Sequence, residues 1–113
     1  MKADGKLDYL ELQAGNGALD GVKAFYASAF GWRFADYGPS YSAFEEGLDG
    51  GFDGSAERET KPLPVLYARD LERTLDAVTA AGGTIVRPIF AFPGGRRFHF
   101  ADPAGNELAV WSE

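Results

Sequence analysis

Apolar and polar residues alternate, then recur at helical spacing, and the whole order repeats once along the chain. Leu10 and Leu12 alternate with Tyr9, Glu11 and Gln13, which predicts a strand over residues 7–13. A Gly15-Asn16-Gly17 turn follows. Val22, Phe25, Tyr26, Ala29 and Phe30 then recur at i, i+3, i+4, i+7 and i+8, the signature of an amphipathic helix. Asp20 reads as its N-cap and Gly31 as the C′ residue that stops it. Residues 32–37 and 41–46, and more weakly 50–54, predict three strands.

The stretch 55–61 is polar throughout and reads as a linker. The pattern then restarts. Residues 63–68 predict a strand, with Pro62 and Pro64 pointing to an edge or an irregular start. Asp70 caps a helix with Leu71, Leu75 and Val78 on one face, and Gly82-Gly83 ends it. Residues 84–92 predict a strand interrupted by Pro88. A strand, helix and three strands, twice over, is an internal repeat: module one over about 6–54 and module two over 62–113, in a single 113-residue domain. The implied class is α+β, with helices on one face of a curved sheet and the opposite face free to form a cup.

The last two strands can be set in register from the sequence. With Ala101 opposite Glu107 across the Asp102–Asn106 turn, Phe100 faces Leu108, Phe98 faces Val110, His99 faces Ala109 and Arg97 faces Trp111. The Phe, Leu and Val set belongs against the helices, which sends Arg97, His99 and Trp111 to the other face. A slip of one residue would put a guanidinium and an imidazole under the helices, at a cost of several kcal/mol. The same logic sends Tyr9, Glu11 and Gln13 to the cup side of the first strand.

Composition narrows the chemistry. The formal net charge is −6 and no basic stripe exists, so nucleic acid is not an expected partner. There is no cysteine, which removes disulfides, thiolate metal sites and a thiol nucleophile. No apolar run reaches membrane-spanning length, and the first residues show no export signal, so a cytoplasmic protein is expected. Aromatic residues make up 14% of the chain, more than a small core needs, which suggests that some line a cavity.

The repeat, Phe25-Tyr26 followed by Phe30-Gly31-Trp32, and the closing Phe100-Ala101-Asp102-Pro103-Ala104-Gly105-Asn106 together resemble the glyoxalase / bleomycin resistance / dioxygenase superfamily, the vicinal oxygen chelate proteins. The resemblance covers nearly the whole chain. It implies paired βαβββ modules forming a curved mixed sheet with a cleft, helices on the outer face, and commonly a homodimer. It also implies, in many members, a divalent metal held by the first and last strands of each module. Here those positions carry Tyr9, Leu63 or Val65, Ala109, and a residue within 51–53, where Asp53 offers one carboxylate. Leu and Ala cannot coordinate, so no family-type metal and no cofactor are expected. A residual possibility is a new ion site from His99, Glu11 and Asp53.

The candidate site residues are Glu11 and His99 for acid–base chemistry, with Tyr9, Gln13, Tyr41, Phe90, Arg97 and Trp111 for ligand binding. His99 has the one imidazole in the chain. Arg97 suits a carboxylate or phosphate, and Trp111 a flat ligand or a cation. The plainer alternative is a solvated face with Arg97 stacked on Trp111. Arg96 should face the helix-side edge and stay solvated. Three functions follow. One is a metal-free small-molecule binding protein for an aromatic or cationic compound. Another is a metal-independent lyase, isomerase or epimerase using Glu11 and His99. The last is a structural module with no ligand.

Overall fold

The computed structural model describes residues 2–55 and 61–113; most of the expected linker lies outside the described residues. The fold is α+β, with eight strands and two helices among the described residues. It divides into two compact units: Tyr9–Pro62, and Met1–Asp8 with Leu63–Glu113.

The Tyr9–Pro62 unit holds most of β1 (Lys6–Gln13), then α1 (Leu19–Phe30), β2 (Ala35–Asp36), β3 (Tyr41–Glu46) and β4 (Leu48–Asp53). Its strands run in the order β2-β3-β4-β1, parallel at β1–β4 and antiparallel elsewhere. Gly50 lies opposite Phe44, and a side chain there would collide with the Phe44 ring. The core packs Ala14, Phe44 and Phe52 against Leu12, Leu19, Val22, Tyr26, Trp32 and Phe34. Trp32 stacks on Tyr26 with centroids 4.6 Å apart.

α1 departs from expectation in two ways. Ala18, not Asp20, is its N-cap and provides no side-chain hydrogen bond. Asp20 sits inside the first turn, where its charge complements the helix dipole. The apolar stripe is also wider than the surface it covers. Leu19, Val22 and Tyr26 seat on the core, but Phe25 and Phe30 are 58% and 66% exposed and lean on the Tyr26 ring instead. Gly31 closes the helix as expected, at φ 74°, donating to the Ala27 carbonyl. The strand expected over 32–37 shrinks to Ala35–Asp36, because Trp32 and Phe34 are drawn into the core.

The other unit holds β5 (Leu63–Tyr67), α2 (Leu71–Ala80), β6 (Thr84–Phe92), β7 (Gly95–Ala101) and β8 (Glu107–Ser112). Their order is β5-β8-β7-β6, parallel at β5–β8. The β7–β8 register is the expected one at every pair from Arg97↔Trp111 to Ala101↔Glu107. Phe98 and Val110 pack with Leu71, Leu75 and Val78 of α2, so the Phe/Leu/Val face lies under the helix. Asp70 caps α2 as expected, accepting from the Arg73 N–H at 3.1 Å. Arg96 faces the helix side as expected, and there it forms a two-pronged, solvent-exposed ion pair with Glu72.

Candidate functional site

In the Tyr9–Pro62 unit, Glu11 and Gln13 on β1 lie beside Gly51 and Asp53 on β4, which in turn face Ala43 and Tyr41 on β3. Alternation along each strand therefore gathers Tyr9, Glu11, Gln13, Tyr41 and Asp53 on one face, away from the Phe44–Phe52 core. The Tyr9 and Tyr41 hydroxyls hydrogen-bond at 2.7 Å, and Tyr41 donates to Glu11 Oε1 at 3.5 Å. With the Tyr41 proton directed to Glu11, Tyr9 donates to Tyr41. Burial pushes the Tyr9 phenol above its ordinary value, the nearby Glu11 and Asp49 charges add to this, and the Tyr41 bond opposes it. Tyr9 is thereby held as a neutral donor. Glu11 is buried, at 3% exposure. Gly51 makes the arrangement possible, since a Cβ there would meet both hydroxyls. Gln13 Oε1 is buried and has no hydrogen-bond partner among the described residues. Asp53 accepts from the Ser55 N–H at 2.9 Å.

In the other unit, β7 and β8 present Arg97, His99 and Trp111 on the face opposite α2, as the alternation predicts. His99 is 1% exposed, and its Nδ1 lies 2.9 Å from Glu107 Oε2, a contact that orients the ring. Phe90 lies against His99 with centroids 5.7 Å apart. Arg97 sits among the aromatic rings of this face. Its guanidinium lies over Phe90 and Phe92, at 5.4 and 5.6 Å. Trp111 is taken up by other neighbours: its indole N–H donates to Asp8 at 2.9 Å, and its ring meets Tyr67 and Phe92. Asp8, Tyr67, Phe92, Glu107 and Arg87 were not singled out from the sequence. Glu107 and Tyr67 belong to strands already placed, so their contacts follow from side-chain reach rather than from pattern. Arg87 was hidden by an irregularity of β6, for which Pro88 was the signal.

Of the positions where the resemblance implies metal ligands, Leu63, Val65 and Ala109 are apolar and buried. Val65 lies opposite Ala109, at 4% and 0% exposure, and Leu63 is at 3%. None has a donor atom to offer. Among the described residues, no group of three or more His, Asp or Glu side chains is placed to hold an ion. No helix there is long and apolar enough to cross a membrane.

The family model of the Glyoxalase/Bleomycin resistance protein/Dioxygenase superfamily matches residues 6–110. The chain belongs to that superfamily. Solved structures agree on the fold. A superfamily member from Vibrio splendidus 12B01 superposes with a TM-score of 0.72 at 16% identity, over 96% of this chain and 100% of that one. Methylmalonyl-CoA epimerase from Streptomyces coelicolor, in complex with 2-nitronate-propionyl-CoA, gives 0.72 at 10% identity, over 98% and 99%. The Mn(II)-bound glyoxalase from Novosphingobium aromaticivorans gives 0.66 at 22% identity, with 99% of this chain matching 40% of that one. No curated protein matches this superfamily member.

Proposed function

We propose that this glyoxalase-superfamily chain is a binding protein for a small aromatic molecule and works without the family's metal ion. The observation that carries the reading is the face of β6–β8: the buried His99 ring, held by the exposed Glu107 carboxylate, with Arg97, Phe90 and Trp111 around it. An imidazole and a half-buried guanidinium here lie beside aromatic rings. Such a mixture of apolar walls and a few oriented polar groups suits a small ligand. The epimerase neighbour, captured with a CoA derivative, supports small-molecule recognition on this fold. The apolar Val65, Leu63 and Ala109 do not fit an ion of the family type. The same reading takes the protein to be a cytoplasmic homodimer.

Trp111 is the reporter. In a Trp32→Phe background its emission isolates this face, because Trp32 belongs to the other unit's core. Titration with a panel of aromatic compounds should give a saturable change and a rise in thermal midpoint. A panel that leaves both emission and midpoint unchanged would end the proposal.

A second reading is favoured by one observation: the buried Glu11 carboxylate beneath two hydroxyls. In it the chain is a metal-independent lyase, isomerase or epimerase. Glu11 takes a proton, and Tyr9 and Tyr41 donate hydrogen bonds. If Glu11→Gln left turnover of an identified substrate intact, that reading would fall.

A further inference from the structure

The turn that leads from β1 into α1 is built on the dipeptide Asn16-Gly17. Asn16 has φ 60° and Gly17 has φ 74°, and the Ala18 N–H closes the turn on the Gly15 carbonyl at 3.2 Å. Two successive positive φ values are what a type I′ turn demands, and asparagine followed by glycine meets that demand best. Among the described residues Asn16 is the one non-glycine residue at positive φ. Backbone shape therefore accounts for the pair, and neither reading of the function uses it.

The chain has two asparagines, and their surroundings differ. Asn106 is tied down: its Nδ2 donates to Asp102 Oδ2 at 2.9 Å and its backbone N–H donates to Asp102 Oδ1 at 2.9 Å. Its successor, Glu107, is held in β8 opposite Ala101. Asn16 and Gly17 are exposed. Among the described residues, neither the Asn16 side-chain amide nor the Gly17 N–H has a hydrogen-bond partner. Gly17 has no side chain to shield its nitrogen, and the space where a Cβ would stand is open to 4 Å. A single hydrogen bond closes the turn, so it opens readily, and glycine gives the backbone freedom to rotate once it does.

We propose that Asn16-Gly17 is a modification site, where the asparagine amide is lost spontaneously and aspartate and isoaspartate form. The Gly17 backbone nitrogen gives up its proton to solvent base and attacks the Asn16 side-chain carbonyl carbon. A carbon–nitrogen bond forms, the bond from that carbon to the amide nitrogen breaks, and the amide nitrogen takes a proton and leaves as ammonia. One water then opens the cyclic imide at either carbonyl. Opening at one gives aspartate; opening at the other carries the chain through the side-chain carbon, as isoaspartate. Water is the only co-reactant, and nothing is oxidised or reduced. Asparagine is thermolabile for this reason, and the geometry confines the loss to one of the two. The product adds one negative charge to a chain of net charge −6. That charge stands just ahead of α1, where the first N–H groups favour an anion and Ala18 offers them no side-chain acceptor. Isoaspartate also inserts a backbone carbon between β1 and Leu19, which packs on the core.

The test is to hold the full chain at mildly alkaline pH and body temperature over days. Samples are followed by isoelectric focusing, by fragmentation mass spectrometry after digestion at acid pH, and by methyl transfer from labelled S-adenosylmethionine with an isoaspartyl-specific carboxyl methyltransferase. A species with one added negative charge should accumulate, its acid should map to position 16, and it should accept methyl groups, while Asn106 stays an amide. Asn16→Gln should abolish this species, because the longer side chain cyclises poorly, and Gly17→Ala should slow its appearance by shielding the nitrogen. The wild-type map alone decides the matter if either variant disturbs the turn. A chain that keeps both amides throughout would overturn the proposal. So would conversion of Asn106 as fast as Asn16, or an acidic, methyl-accepting species that persists in Asn16→Gln.

Discussion

Gly51→Ala isolates the hydroxyl arrangement beside Glu11. An added Cβ would stand 2.5 Å from the Tyr9 hydroxyl and 2.6 Å from a Tyr41 ring carbon, with the Tyr41 hydroxyl nearer still. Real Cβ atoms do not approach so closely, so the phenols must move. Their movement breaks the 2.7 Å hydrogen bond between them. Forcing a methyl into packed surroundings costs about 1–3 kcal/mol. The broken hydrogen bond, about 1 kcal/mol net, falls within that range. Opposing it, replacing glycine in a strand recovers about 0.5–1 kcal/mol of chain entropy. The expected net loss is therefore about 1–2 kcal/mol in wild type. In a Tyr9→Phe/Tyr41→Ala background all three close atoms are gone, and the same change should be neutral or stabilising. Urea unfolding followed by tryptophan emission measures each step, since a chain of this size is expected to unfold in one transition. An equal loss in both backgrounds would refute the reasoning and place the strain in the backbone instead.

Further outcomes follow from the helix caps and from Tyr9. Asp70→Ala should cost about 0.5–2 kcal/mol, because the carboxylate accepts from the Arg73 N–H, whereas Asp20→Ala, which removes no cap, should stay within about 0.5 kcal/mol; chemical denaturation of both variants checks the contrast. The Tyr9 phenol titrates above its ordinary value of 10.0, so its neutral form favours folding. That contribution is complete below about pH 10 and is lost as pH rises through the folded value. Tyr9→Phe should therefore flatten the alkaline fall in stability, and one tyrosinate absorbance step should move to lower pH on unfolding.

How far the sequence could be read depended on how local the determinants were. The β7–β8 register was legible because a fully apolar set alternates with Arg97, His99 and Trp111 across a short turn, and only one phase avoids burying charge. Asp70 was legible because a cap acts over three residues. Asp20 misled because the chain turns into the helix two residues earlier, at Ala18. The exposure of Phe25 and Phe30 was not legible, since helical periodicity gives the direction of an apolar stripe but not the width of the surface it meets. The companions of Trp111, Asp8 and Tyr67, depend on contacts between strands far apart in sequence, and those of Arg97, Phe90 and Phe92, depend on the irregular β6–β7 register. The face on which Arg87 lies depends on a bulge, which period-2 reasoning cannot contain.

Strand order also bears on how the chain acquires its structure during synthesis. In the unit built from β5 to β8, the strand made last lies between β5 and β7, with Val65 opposite Ala109. As the polypeptide emerges, α2 and the β6–β7 hairpin can form from neighbouring residues, but β5 has no parallel partner until Glu107–Ser112 arrives. Closing that distant pair sets a slow, late step. Until then the ladder groups of β5 are an open invitation to other nascent chains, a vulnerability that chaperones would have to cover.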